Sequence, residues 1–490
     1  MSGAPGIIDL SLISHTNAGK TTLARTLLGR DVGEVRDAPH VTHEATAYPL
    51  IGTPEGDSLV LWDTPGFGDS ARLARRLSQQ GNPIGWFLSE VWDRFRDRAF
   101  WHSQQAVRNV RDRADVVLYL VNASEAPADA GWLAPEMDVL AWIGKPIVVL
   151  LNQTGPPGPR DEEAADAERW RRALAGRQGV RTVLALDAFA RCWVQEIVLL
   201  RAIEAALPAA GRETCARLTR AWQAKRLSEF DSSMAVLSGP IAGAALDRIA
   251  VTESGVKSAL RQLGRAIGVT GTSEDDPRSA AARALEARLA TDLAAAADRV
   301  IAIHGLEGHA REVLAGRIAR ATALVAPVNE GKAALVGGAV SGAVSGLAAD
   351  LAAGGLTFGA GMLAGAVLGA LGGAGLARGV NLARGQDGTY LRWDARFLDG
   401  LVAAALLRYL AVAHFGRGRG EWAESEVPPF WHERVATAVD GRAAALSDLW
   451  GQREAIDRDA LAERLADVLG GAAMEILEGL YPGALGGDAA

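Results

Sequence analysis

An apolar run, IIDLSLIS (7–14), passes straight into HTNAGKTTL (15–23), and this junction limits the chain more than any other feature. From Ser14 to Thr21 the residues match G-x-x-x-x-G-K-[ST], with Ser14 in place of the first glycine. A loop of this kind works between a strand and a helix. Gly19 permits the tight turn, and the free backbone N–H groups at the helix start face a phosphate. Asn17, Ala18, Gly19, Lys20, Thr21 and Thr22 are the expected cradle, with Lys20 reaching the β/γ-phosphates and Thr21 offering its hydroxyl to Mg²⁺. Ser14 is compatible if its backbone avoids positive φ, because it adds only a small side chain.

The pattern around this loop predicts a doubly wound α/β domain over residues 1–208. Further strand-like runs are SLVLWD (58–63), DVVLYLVN (115–122), PIVVLLN (146–152) and RTVLALD (181–187), several of them almost wholly apolar, as strands buried on both faces are. Helix-like segments at 20–29, 70–112, 161–176 and 191–207 lie between them, and a sheet so built binds ligands at the carboxyl ends of its strands. DTPG (63–66) follows the second run. Asp63 is placed to hold the Mg²⁺ shell and the Gly66 amide to meet a γ-phosphate. Lys20 and Asp63 are 43 residues apart, room for a helix, a loop and two strands, and Thr42 lies 22 residues after Lys20 in that loop. A threonine there can close on Mg²⁺ and the γ-phosphate and let go when the phosphate leaves.

TNAGKTTL, Thr42 and DTPG together resemble the Era/TrmE/Obg-like branch of translation-factor-related GTPases, over about the first 208 residues. The whole chain looks like a bacterial family that joins an Era-like G domain to a C-terminal domain of unknown function. The resemblance implies a P-loop GTPase fold, GTP and GDP as ligands, Mg²⁺ as cofactor and hydrolysis of GTP. It implies further that Asn17 helps bind a potassium ion in place of an arginine finger; the alternative is that Asn17 only stabilises the loop. The base-reading motif Asn-Lys-x-Asp is represented by NQTG (152–155): Asn152 is kept, Gln153 replaces the lysine and Gly155 the aspartate. Without that carboxylate, guanine loses the partner of its N1 and N2 donors, so ATP or mixed specificity stands behind GTP. The Ala188 amide, in LDAF (186–189), is the candidate contact to the guanine O6, and Asp187 or Asp161 can compensate for Gly155. After the DxxG glycine, where Ras-like enzymes place a water-orienting Gln, stands Phe67. Slow turnover follows.

Beyond residue 208 the texture is helical. At 490 residues the chain should hold two to four domains. The boundaries read as 209–331, a helical bundle with Leu285, Leu289, Leu293, Ala297 and Val300 at helical spacing; 332–378, a Gly/Ala-rich helical hairpin; and 379–490, helical again. In 333–376 two registers run at a spacing of four, Gly338, Gly342, Gly346, Asp350 and Gly354, then Gly361, Gly365, Gly369 and Gly373, and each lies along one helical face. Each arm is about 20 residues, a hydrocarbon thickness. Either the hairpin meets membrane lipid or it lies buried in the bundle, and Asp350 in the first arm weighs against constitutive insertion. The shorter apolar stretch 401–415, carrying Arg408, reads as bundle core.

Net charge -7 and the lack of a recognisable RNA-binding module count against nucleic acid as partner. Two cysteines, Cys192 and Cys215, exclude a disulfide framework and point to a reducing compartment. The opening MSGAPGIIDLSLIS has no secretory pattern, so the expected location is cytoplasmic, peripheral or hairpin-inserted at the cytoplasmic membrane. Aromatic residues among arginines in 70–112 offer a surface for a homodimer, or pack as an inserted helix pair. The function that fits best is a GTPase switching a helical effector. The alternatives are a membrane-remodelling or pore-like protein gated by nucleotide, and an RNA- or ribosome-associated GTPase.

Overall fold

Six strands make the sheet that carries the phosphate loop. The computed structural model describes residues 5–15, 18–29, 46–64, 66–67, 69–78, 98–154, 160–186, 192–251, 277–306, 380–385, 388–415 and 428–485. Two compact units result: Met1–Leu227 with Ala413–Gly420 and Tyr481–Ala490, and Ser228–Val412 with Glu421–Leu480.

In the first unit the chain runs β1 (Ile7–Ser14), α1 (Lys20–Leu28), β2 (Thr46–Gly52), β3 (Ser58–Asp63), α2 (Ser70–Ser78), α3 (Arg98–Arg113), β4 (Val116–Asn122), α4 (Leu133–Ile143), β5 (Ile147–Asn152), α5 (Arg160–Leu174), β6 (Val180–Ala185) and α6 (Trp193–Ala206). The sheet order is β2-β3-β1-β4-β5-β6, parallel except for β2, which pairs antiparallel with β3. β4 and β5 are buried along almost their whole length, so their apolar runs are the two-faced burial of central parallel strands. Edge strand β2 is mostly exposed and tolerates Pro49, beside which its register shifts. Ile13, Tyr119, Val149, Leu140 and Trp170 belong to one buried cluster behind the sheet's ligand end.

The sequence pattern located five of these six strands and missed two elements. β2 was hidden by its proline and its exposure. Helix α4, LAPEMDVLAWI, is too evenly apolar to show a face. The expected helical stretch 70–112 is described as α2 and α3, with 79–97 between them outside the described residues.

Helix α7 (Ala209–Leu246) starts in the first unit and ends in the second, with Pro240 inside it. The second unit continues with β7 (Arg248–Val251), α8 (Pro277–Ile303), β8 (Val380–Gly385), β9 (Gly388–Trp393), α9 (Ala395–Ala413), α10 (Pro429–Asp440), α11 (Ala443–Gln452) and α12 (Arg458–Leu480). It is mostly helical, as expected, with one correction. A three-stranded antiparallel sheet, β7-β9-β8, stands where only helices were read. RIAV, the four residues of β7, is too short to show alternation, and its partner β9 lies more than a hundred residues further on. Burial in α12 falls on Leu461, Leu465, Leu469, Ala472, Ile476 and Leu477, a helical stripe that seats α10 and α11. Leu401, Val402, Leu406 and Leu410 bury the apolar face of α9, while Arg408, also buried, donates from Nη1 to the Leu293 carbonyl at 3.4 Å. That stretch is bundle core, as read. The glycine-striped segment 333–376 lies outside the described residues, among which no helix is long and apolar enough to cross a membrane.

Candidate functional site

Buried polar side chains gather at the carboxyl ends of β1, β3 and β5. Gly19 sits at φ +86°, in the left-handed region, and Lys20 begins α1 directly after it. A Cβ on Gly19 would lie 2.6 Å from Asn152 Nδ2, so both conformation and space demand glycine there. The Lys20 side chain is buried, and its Nζ donates to Ser14 Oγ at 3.0 Å. Ser14 ends β1 in extended backbone, and among described non-glycine residues only Gln153 has positive φ. The serine in the first glycine's place is therefore unstrained, and it supplies a hydroxyl on which the lysine rests.

Thr21 Oγ1 donates to Asp63 Oδ2 at 2.8 Å. Asp63 is 2% exposed, and its other oxygen, Oδ1, is buried without a hydrogen-bond partner among the described residues. An unsatisfied buried carboxylate oxygen beside a threonine hydroxyl is a hard, oxygen-only donor set. It fits Mg²⁺, held partly through water. Burial pushes the Asp63 carboxyl up from the ordinary carboxylate range, opposed by the Lys20 charge and the Thr21 hydrogen bond. Burial likewise pushes the Lys20 ammonium down, opposed by Asp63 and Glu136. An anionic, metal-bearing ligand would favour the charged form of both groups.

Asn152 closes the loop from the end of β5. It is fully buried, and its Nδ2 donates to the Ala18 carbonyl at 2.8 Å, bracing the cradle from β5. Gln153 follows at φ +58°, its Nε2 3.8 Å from where a Gly19 Cβ would stand, so the residue that replaces the lysine lies over the loop. Thr22 lies in the first turn of α1 next to Thr21 and is buried, and Gly66 is half-buried. Asn17, Thr42, Gly155, Asp187 and Ala188 fall outside the described residues, and so does the Asp161 side chain.

Phe67, in the water-ordering place, faces the other way. It is 0% exposed within the cluster of Ile13, Leu73, Phe100 and Tyr119, with its amide bonded to the Ser14 carbonyl at 3.3 Å. It is a core residue, tying the loop after β3 to the end of β1.

One group of site residues was absent from the sequence reading. His15 Nδ1 lies 2.7 Å from Glu136 Oε1, and the Tyr119 hydroxyl donates to Glu136 Oε2 at 2.6 Å. His15 and Glu136 are 121 positions apart, so no spacing could pair them. The one signal was an acid in an apolar helix.

Residues 9–153 match the family profile described as 50S ribosome-binding GTPase, and residues 171–455 match the domain of unknown function DUF3482. GTPase Der of Acidithiobacillus ferrooxidans is 28% identical over 163 residues, 33% of this chain and 30% of that protein. GTPase Der of Caldanaerobacter subterraneus is 24% identical over 151 residues, 30% of this chain and 27% of that protein. The chain thus spans less than a third of the length of these curated relatives. Era of Aquifex aeolicus, solved with GDP and AlF4−, aligns at 18% identity and a TM-score of 0.31, covering 41% of this chain and 57% of that one.

Proposed function

Because the chain belongs to the DUF3482 family, whose domain covers more than half of it, and carries a P-loop GTPase domain of the Era/Der type in front, we propose that it binds Mg·GTP, hydrolyses it slowly to GDP and phosphate, and switches its helical unit between the two states. The observation that carries this reading is the Lys20–Ser14, Thr21–Asp63 cluster with its unsatisfied Asp63 Oδ1.

Lys20 leaves the Ser14 hydroxyl for the β/γ-phosphate oxygens, and the amides at the start of α1 take the remaining phosphate charge. Thr21 and Asp63, with Thr42 joining from its loop, hold the metal. A Mg²⁺ ion held by these residues would supply positive charge against the phosphate oxygens. Since Phe67 is buried in the core, no side chain at that position orders water, and a group supplied elsewhere (potassium at Asn17 in this reading) must offset the developing charge. A missing charge of that kind is worth about 10³–10⁵ in rate. Asn152 and Gln153 border the base. GTP is the preferred nucleotide and ATP the competitor to be measured.

The switching part draws support from one contact within the first unit. The β2–β3 hairpin lies between the Thr42 loop and Asp63, and at its far turn Asp57 is held by Arg217 of α7, Nε to Oδ2 at 2.6 Å and Nη2 to Oδ1 at 2.9 Å. The Gly6 amide also donates to Asp57 Oδ1, at 2.9 Å. In this proposal, movement passed along the hairpin would bear on α7 through the Asp57–Arg217 pair. The segment 333–376 is the part of the helical unit that would meet lipid.

Phosphate release from GTP and ATP, by the full chain in potassium and in sodium, tests the reading. GTP turnover faster in potassium supports it; no GTP turnover in either salt rejects hydrolysis, and equal rates remove the potassium role. Flotation with liposomes, with and without residues 333–376, tests the lipid contact; if neither form floats in any nucleotide state, that contact is wrong.

A further inference from the structure

Glu136 is a carboxylate where the fold alone has little use for one. It lies in the first turn of α4, fully buried, among Leu133, Met137 and Leu140. Its oxygens are divided between the core and the nucleotide site: Oε2 takes the Tyr119 hydroxyl from the central strand β4, and Oε1 takes His15, the first residue after β1 in the phosphate loop. The His15 ring also stacks on Trp132 at the start of α4, with centroids 5.0 Å apart and planes 10° from parallel. The side chain of His15 is 31% exposed, while that of Glu136 is 0% exposed. One end of the contact is thus fixed and the other belongs to the loop that must grip a ligand.

Burying the carboxylate is costly, and an apolar side chain of its size would commonly serve packing as well or better. Burial pushes the Glu136 carboxyl up, and the hydrogen bonds of His15 and Tyr119 and the charge of Lys20 oppose this only in part. What the carboxyl adds, beyond what an apolar residue would give, is its two hydrogen bonds, and one of them falls on His15 in the loop.

We propose that Glu136 is a positioning residue of the nucleotide site, which acts through His15 to hold the opening of the phosphate loop in the shape that receives the phosphates. The proposal rests on the nucleotide reading above. Glu136 touches no ligand itself. It works by removing conformations of the loop that would otherwise have to be excluded on binding, so its effect appears in affinity more than in the stability of the fold.

A double-mutant cycle on the full chain decides it. Affinity for a non-hydrolysable GTP analogue with Mg²⁺ is measured for wild type, Glu136→Gln, His15→Ala and the pair, with the unfolding temperature of each. Each single substitution should weaken binding about ten-fold, and the pair should weaken it no further, as for one charge-assisted contact. Unchanged affinity in Glu136→Gln, or losses that multiply in the pair, overturns the proposal. If Glu136→Gln does not fold, His15→Ala and Tyr119→Phe replace it: the first should weaken binding about ten-fold, the second less than about two-fold, since it leaves the His15 contact in place. The reverse order overturns the proposal. Lys20→Ala runs alongside. If it binds the analogue as tightly as wild type, the failure belongs to the nucleotide reading; if it loses binding while Glu136→Gln does not, only the positioning role fails.

Discussion

The two units bury polar groups to different ends. In the first, Lys20, Asp63, Glu136 and Asn152 are all buried and converge on a single loop, where one Asp63 oxygen has no hydrogen-bond partner among the described residues. In the second, the buried Arg408 is spent on a backbone carbonyl of α8, and Tyr409 meets Phe230 edge-on at 5.4 Å inside an apolar packing. The first pattern is the one that a charged ligand would require; the second holds helices together. Chemistry and packing therefore answer to different substitutions, and this contrast can be attacked directly.

The largest effect should come from a cavity in the packed unit. Leu465, fully buried on α12, should cost about 2–5 kcal/mol on replacement by alanine. Affinity for a GTP analogue, measured below the unfolding transition, should stay within about two-fold of wild type. A large loss of affinity would break the separation of roles. Gly19→Ala should do the opposite. The left-handed backbone costs about 1–2 kcal/mol for alanine, the added carbon meets Asn152 Nδ2 at 2.6 Å, and calorimetry should show binding fall far more than stability.

A smaller effect is expected where the β2–β3 turn meets α7. Arg217→Ala should lower stability only modestly, because the Arg217 side chain is partly exposed and the pair is screened by solvent. The hydrogen bonds from Arg217 and the Gly6 amide hold the Asp57 carboxyl down at about 2, from 3.8. A depressed carboxylate contributes its full stability above its unfolded value and loses it as the pH falls through the folded one. Denaturant titrations of wild type and Arg217→Ala should accordingly differ at neutral pH and converge as pH drops from about 4 towards 2. If the difference persists at the acid end, the pair is not its source.

What could be read in the sequence follows the same division. The phosphate loop, β1, β3, β4, β5 and β6 were legible because their signals are local: a motif at fixed spacing and runs of apolar residues. Asp63 and Asn152 stand out in the sequence because each closes an apolar run, and strands β3 and β5 end on them. The sheet β7-β9-β8 left no trace, since its pairing joins Ile249 to Leu391 and its strands are short. Helix α4 showed no amphipathic face, and with it went Glu136, whose meaning depends on His15 from a distant strand end. Phe67 was read by its place in a motif as a missing catalytic group. Its burial shows what it does instead: it fills the core beneath the loop.

The most direct test is calorimetry of GTP and ATP, each with Mg²⁺, against wild type and Lys20→Ala. Heat of binding for GTP, weaker or none for ATP, and loss of both in Lys20→Ala is the predicted result. No heat with either nucleotide, or equal affinity in Lys20→Ala, would contradict a phosphate site at the end of β1.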